Sequence, residues 1–151
     1  MLNNKGFTLI ELLLVLLISA LCLSLSWPAL NKVYQHYALE TASSQLAWTL
    51  RCARSEAMLQ GRSCNVKFYV SVNQYRSETD SYSLARGVVY AGVPTFPSRI
   101  GSIPVCSFNA TGAPAGGGTV VLKNLFNDKK YIIVNPVAGK VRISDNPPEN
   151  W

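Results

Sequence analysis

Residues 7–25 form an almost unbroken apolar run, and a single carboxylate, Glu11, lies near its start. Lys5 and Gly6 come immediately before it, so the order is cation, glycine, apolar residues, acid, then a long apolar stretch. From Leu12 to Asn31 no side chain carries a formal charge, and those 20 residues suffice for a helix to cross a hydrocarbon core. Lys5 on the N-terminal flank places the first residues in the cytoplasm and the remainder outside. A charged carboxylate at bilayer depth costs on the order of 3 kcal/mol even on lenient scales, so Glu11 needs a partner or a function.

Two ordinary export signals compete with this reading. A secretory signal expects an uncharged core, and Glu11 lies inside this one. A lipoprotein signal ending at Cys22 would follow Leu21, which is large for the residue before such a cysteine. The pattern Lys5-Gly6-Phe7-Thr8-Leu9-Ile10-Glu11 instead resembles the class III signal of type IV pilins and the related pseudopilins of type II secretion and DNA-uptake machines. The resemblance implies cleavage after Gly6 by a membrane-embedded prepilin peptidase and N-methylation of the new first residue, Phe7. It also implies that Glu11 of one subunit meets the Phe7 amine of a neighbour during assembly. A low dielectric strengthens that attraction and penalises an unpaired charge. Pro28 removes an amide that would bond the Ser24 carbonyl, so a kink or local opening is expected there, with Trp27 suited to the membrane–water boundary.

Beyond Pro28, Leu39, Ala42, Leu46, Leu50, Ala53 and Ala57 recur at spacings of three and four, which predicts one apolar helical stripe. Gly61 is a natural stop, so a single helix from about Thr8 to Gln60 is expected. The period then changes to two. Val66, Phe68 and Val70 alternate with polar residues, and Gln74–Ser77 is expected to pair back through a turn near Val72-Asn73. Tyr82 to Ile103 reads as short strands and loops. Val105–Phe108 is a further strand, Thr119–Leu122 and Tyr131–Val134 make a hairpin about an Asn127–Lys130 turn, and Lys140–Ile143 follows Gly139 as the last strand. The fold class is therefore α+β, a long helix packed on an antiparallel sheet domain. Residues 1–6 read as the leader, 7–30 as the transmembrane, filament-core half of the helix, and 31–151 as the exported domain.

The helix end Arg51–Ala57 and the order of the strands resemble the pseudopilin H and FimT-type minor pilin branch. That resemblance implies a low-copy structural subunit of a type IV pilus, a type II secretion pseudopilus or a competence filament. Its partners would be the peptidase, other pilins through the N-terminal helix, the inner-membrane assembly platform and the membrane itself.

No catalytic constellation is visible. His36 is the sole histidine and falls on the expected exposed stalk of the helix, which disfavours a hydrolytic triad and a histidine-rich metal site, and the acids Glu78, Asp80, Asp145 and Glu149 are dispersed. The Gly116–Gly118 triplet lacks a following Lys-Ser/Thr and is no phosphate loop. No cofactor and no metal are expected, and no enzymatic activity. Of four cysteines, Cys22 falls in the apolar run, and the exported compartment permits disulfides. A reduced, buried set is the leading expectation, and of the possible bridges Cys64 with Cys106, both strand residues, is preferred over Cys52 with Cys64.

The net charge of +6 becomes +5 when Lys5 leaves with the leader, 13 basic residues then facing 8 acidic ones. A positive exported domain favours anionic partners. Lys129, Lys130, Lys140 and Arg142 form the candidate nucleic-acid cluster, with Lys140 and Arg142 on one strand face. Gly139-Lys140-Val141-Arg142 resembles the Gly-Arg-x-Arg turn of FimT-like pilins associated with DNA binding during uptake. Lysine in place of the first arginine keeps charge and loses the bidentate fork.

Overall fold

The computed structural model describes residues 8–148, apart from the side chains of Leu25 and Ser26. One helix, α1, runs from Leu9 to Gln60. Its assignment is continuous through Pro28, so the loss of one amide is absorbed without ending the helix. Gly61, with φ of +62°, supplies the left-handed residue that terminates it. The chain divides into two compact units between Tyr34 and Gln35.

In the first unit every described side chain from Leu9 to Tyr34 is exposed. Ser19 and Ser24 turn their hydroxyls onto the carbonyls of Val15 and Leu21, each at 2.8 Å. Their polar groups are thereby satisfied within the helix itself, as a hydrocarbon environment requires.

In the second unit the stripe expected from the spacing is buried: Leu39, Ala42, Leu46, Leu50, Ala53 and Ala57 are each at most 4% exposed, and Ala47 joins them. Alternating leucine with alanine lets the strands approach the helix closely while the leucines fill the remaining space. Among the described residues nine strands make two antiparallel sheets. The first contains β1 (Cys64–Tyr69), β2 (Gln74–Arg76), β3 (Ser81–Ser83), β5 (Arg99–Ile100) and β6 (Ile103–Phe108), in the order β3-β2-β1-β6-β5. The second contains β4 (Val89–Tyr90), β7 (Gly118–Lys123), β8 (Lys129–Val134) and β9 (Val141–Ser144), in the order β4-β7-β8-β9.

Alternation decides which face each sheet buries. Cys64, Val66 and Phe68 of β1 point into one apolar cluster with the helix stripe, with Val120 and Leu122 of β7, and with Ile132 and Val134 of β8. Phe68 stacks on Phe96 with ring centroids 5.4 Å apart, and Tyr75 on Tyr82 at 5.3 Å. The β1–β2 connection is a short 3-10 turn, Val70–Val72, closed by Asn73 in the left-handed region at φ of +51°. Val70 therefore leaves the strand that its alternation suggested.

Polar ties fix the sheet to the helix at defined heights. The Lys130 ammonium on β8 lies 2.6 Å from Glu40 on α1 and 2.7 Å from Asp145 after β9. Further along the helix, Arg51 donates to the Val141 carbonyl at 3.1 Å and Arg54 to the Gly112 carbonyl at 3.0 Å. Strand β8 thus runs from the Glu40 level of the helix towards the Arg51 level.

Candidate functional site

At the N-terminal end, Thr8 precedes the helix and Glu11 is the acidic residue of its first turn. The Thr8 hydroxyl accepts a hydrogen bond from the Glu11 amide at 3.3 Å, an N-cap that the Thr-x-x-Glu spacing makes possible. A carboxylate here also faces the positive end of the helix dipole. Neither effect satisfies the carboxylate oxygens in hydrocarbon, and the Glu11 side chain is exposed. Gly6 and Phe7 lie outside the described residues.

The basic cluster separates into groups that the sequence could not distinguish. Lys129 and Lys130 are the first two residues of β8, not turn residues, and therefore point to opposite faces. Lys130 opposes Leu122 on the core-facing side, where its side chain is 13% exposed and held between Glu40 and Asp145. These contacts raise its pKa, the bond to Asp145 first and that to Glu40 second. Lys130 is therefore a fold-holding cation and leaves the nucleic-acid set. Lys129 is exposed and paired in register with Lys123 on the outer face. Lys140 and Arg142 are at the other end of β8, because Val134 pairs with Val141 and Ile133 with Arg142. Six strand residues separate the two ends, roughly 20 Å, so the two turns do not share an edge.

Lys140 and Arg142, both exposed, line a cavity of about 220 Å³ with Ile133, Asn135 and Ala138. Among the described residues neither cation makes an ion pair. The turn that presents them is tightly specified. The Asn135 side-chain oxygen accepts from the Val137 and Ala138 amides, both at 2.9 Å, and Gly139 donates to the Asn135 carbonyl at 3.0 Å. Gly139 has φ of +62°, and a Cβ there would lie 2.6 Å from the Gly112 carbonyl oxygen that Arg54 also binds. Only glycine fits, so Arg54 and Gly139 together set the height at which Lys140 leaves the turn.

Two family models match the chain. The prokaryotic N-terminal methylation motif covers residues 1–27, and the model of the type II transport protein GspH covers residues 42–139. The chain belongs to the GspH family. Among solved structures, the minor pseudopilin EpsH of the Vibrio cholerae type 2 secretion system is similar, with a TM-score of 0.58 at 12% identity, over 70% of this chain and 95% of that one. The type IV minor pilin FimU of Pseudomonas aeruginosa is similar in two crystal forms, with TM-scores of 0.55 and 0.56 at 14% identity, over 70% and 74% of this chain and 92% and 90% of those. At such identities the likeness establishes the pilin-like fold. No curated protein sequence matches the chain.

In this GspH-family chain Cys64 and Cys106 are reduced and buried, and the bridge preferred among the possible pairings, Cys64–Cys106, is not formed. Both thiols are buried on the inner face of the first sheet, but the register sets Cys64 opposite Phe108 and Cys106 opposite Val66. Such diagonal neighbours stand about 7–8 Å apart, beyond the reach of a disulfide. Burial pushes the Cys106 thiol up to about 12 and, with Glu78 adding to it, raises that of Cys64. Cys52 is half-buried on α1 and is also unbridged, which removes the Cys52–Cys64 option. Among the described residues no three His, Cys, Asp or Glu side chains converge as metal ligands.

The sequence reading missed Arg51 and Arg54 as ties, Lys123 as the partner of Lys129, and Asn135 as a turn former. Asn135-Pro136 carried a turn signal that could have identified the last of these.

Proposed function

We propose that this GspH-family chain is a minor pilin or pseudopilin, exported as a prepilin and assembled into a type IV pilus or a type II secretion pseudopilus. Prepilin peptidase removes residues 1–6 after Gly6, and Phe7 becomes the methylated N-terminus. Residues 7–30 anchor the subunit in the inner membrane with the domain outside the cytoplasm, and the assembly platform then moves this half of the helix into the filament core. The observation that carries this is Glu11: one acid in the first turn of a helix whose every described side chain from Leu9 to Tyr34 is exposed. Among the described residues no cation lies against that carboxylate, whereas the Phe7 amine of a neighbouring helix neutralises it at one axial offset.

Two variants test the proposal. Intact-mass measurement of the protein from its host should show loss of residues 1–6 and gain of one methyl group. The Gly6→Val variant should retain the leader. Glu11→Val should be processed normally and yet be absent from sheared filaments. An unprocessed N-terminus in the wild-type protein, or incorporation of Glu11→Val at wild-type level, refutes this assignment.

A second reading, capture of DNA for uptake, rests on Lys140 and Arg142, which make no ion pair among the described residues, beside their cavity. Two cations there contact phosphates without reading bases. Reversal of both, Lys140→Glu with Arg142→Glu, should abolish retention of the full chain in detergent on DNA. Single neutralisation should reduce the dependence of log affinity on log salt by roughly 0.9. Equal retention of wild type and the double variant removes this reading.

A further inference from the structure

The β7–β8 loop presents large apolar side chains to solvent on a rigid frame. Leu125 is 70% and Phe126 45% exposed. The loop is not loose. Asn124, only 3% exposed, accepts through its side-chain oxygen from the Phe126 amide at 3.0 Å and the Asp128 amide at 2.9 Å, while its amide nitrogen donates to the Asp128 carboxylate at 2.9 Å. Asn127 completes the turn in the left-handed region at φ of +66°. Core packing does not use Leu125 or Phe126, yet the loop holds both outward.

Charge surrounds them in a particular way. Lys123 and Lys129 oppose each other directly across the strands on the outer face, an arrangement that is unfavourable unless an anion lies between or beyond them. The carboxylates at this end are otherwise engaged: Asp128 with Asn124, and Glu40 and Asp145 with Lys130. Two apolar tips between two lysines that make no ion pair among the described residues are complementary to a layer that is anionic at its surface and apolar beneath.

Position within the domain selects the occupant. Lys130, the residue after Lys129, is tied to Glu40, five residues into this unit from Gln35, whereas the far end of the sheet is tied to Arg51 through the Val141 carbonyl. The loop is therefore at the end of the domain where the chain enters from the apolar segment, and chain connection alone keeps a bilayer within reach. We infer that Leu125 and Phe126 insert into the interface of an anionic lipid bilayer, with Lys123 and Lys129 on the headgroups, so that the domain of an unassembled subunit rests on the membrane surface. This inference depends on the membrane-anchored reading above.

The test uses the full chain reconstituted into vesicles. A photo-crosslinking benzoylphenylalanine replaces Phe126, or Leu16 as the anchor control, or Val137, which is 84% exposed in the turn at the opposite end of β8. With phosphatidylglycerol-containing vesicles, lipid adducts are expected at Leu16 and at position 126, and none at 137. The adducts at 126 should collapse in pure phosphatidylcholine, a comparison that needs no further substitution. They should likewise fall in Lys123→Gln with Lys129→Gln, the docking equilibrium weakening roughly 5-fold for each lysine removed. Adducts at 126 only with protein, no adduct there, or a yield indifferent to lipid charge overturns the inference while Leu16 still labels. Loss of labelling at Leu16 itself would instead overturn the anchor and the docking together.

Discussion

Lys130 offers the sharpest check on how charge is used in this protein, because its surroundings are asymmetric. The lysine side chain is 13% exposed, while those of Glu40 and Asp145 are 46% and 75% exposed. In Lys130→Met both carboxylates regain water and the apolar stem is kept, so the loss is that of a partly screened double pair, about 1–2 kcal/mol. Removing the acids instead, Glu40→Gln with Asp145→Asn, strands a largely buried ammonium, and the loss should rise to about 2–4 kcal/mol. Adding Lys130→Met to that double variant should restore part of it. The measurement is denaturant unfolding of the full chain in micelles followed by near-ultraviolet circular dichroism, with the coupling taken from the thermodynamic cycle. Acid removal that costs no more than lysine removal refutes the reasoning. Since the folded-state pKa of Lys130 is raised, its stabilisation is complete below the unfolded lysine value of about 10.4 and is lost only as pH climbs through the higher folded value. Retention on DNA should be unchanged in Lys130→Met.

Leu46→Ala, at a fully buried position of the helix stripe, should cost about 2–5 kcal/mol in the same unfolding assay, and a loss below about 1 kcal/mol would mean the helix does not pack as described. Gly139→Ala should cost at least about 1–2 kcal/mol from its left-handed backbone alone, with the clash against the Gly112 carbonyl added, and unchanged thermal stability would contradict that geometry. Alkylation of the native protein at mildly alkaline pH should modify Cys52 well before Cys64 and Cys106, since burial holds the Cys106 thiol neutral until about pH 12. After unfolding without reductant, both Cys64 and Cys106 should react, and a mass deficit of two hydrogens would restore the disulfide.

Much of the architecture was readable before any coordinates. Spacings of three and four from Leu39 to Ala57 named the buried helix face, because burial on a helix follows its period and each leucine and alanine fell where the sheet would be. The hairpin between Thr119 and Val134 was visible through its β-branched runs and polar connection, although the turn was placed two residues late and took Lys129 and Lys130 from the strand. That small shift mattered. A strand residue has a face and a turn residue does not, so the displacement hid that one lysine joins Glu40 and Asp145 while its neighbour joins Lys123. The choice between a bridge and reduced thiols at Cys64 and Cys106 turns on the same kind of detail: both lie in strands, and a difference of two in register separates a bridge from a pair of diagonal thiols.

The amino-acid sequence alone determined the features that depend on neighbours along the chain: the apolar run with its single acid at Glu11, the glycine stop at Gly61, the change of period beyond it, and the family these imply. Local chemistry suffices there, since hydropathy, helix period and turn propensity act over a few residues. The tertiary structure decided what depends on which strand lies beside which. It bound Lys130 to the helix, left Lys140 and Arg142 without an ion pair among the described residues over a cavity, kept Cys64 and Cys106 apart, and put Leu125 and Phe126 at the end where the chain enters the domain. Charges and thiols interact through distance in space, and that distance is set by the register of the strands.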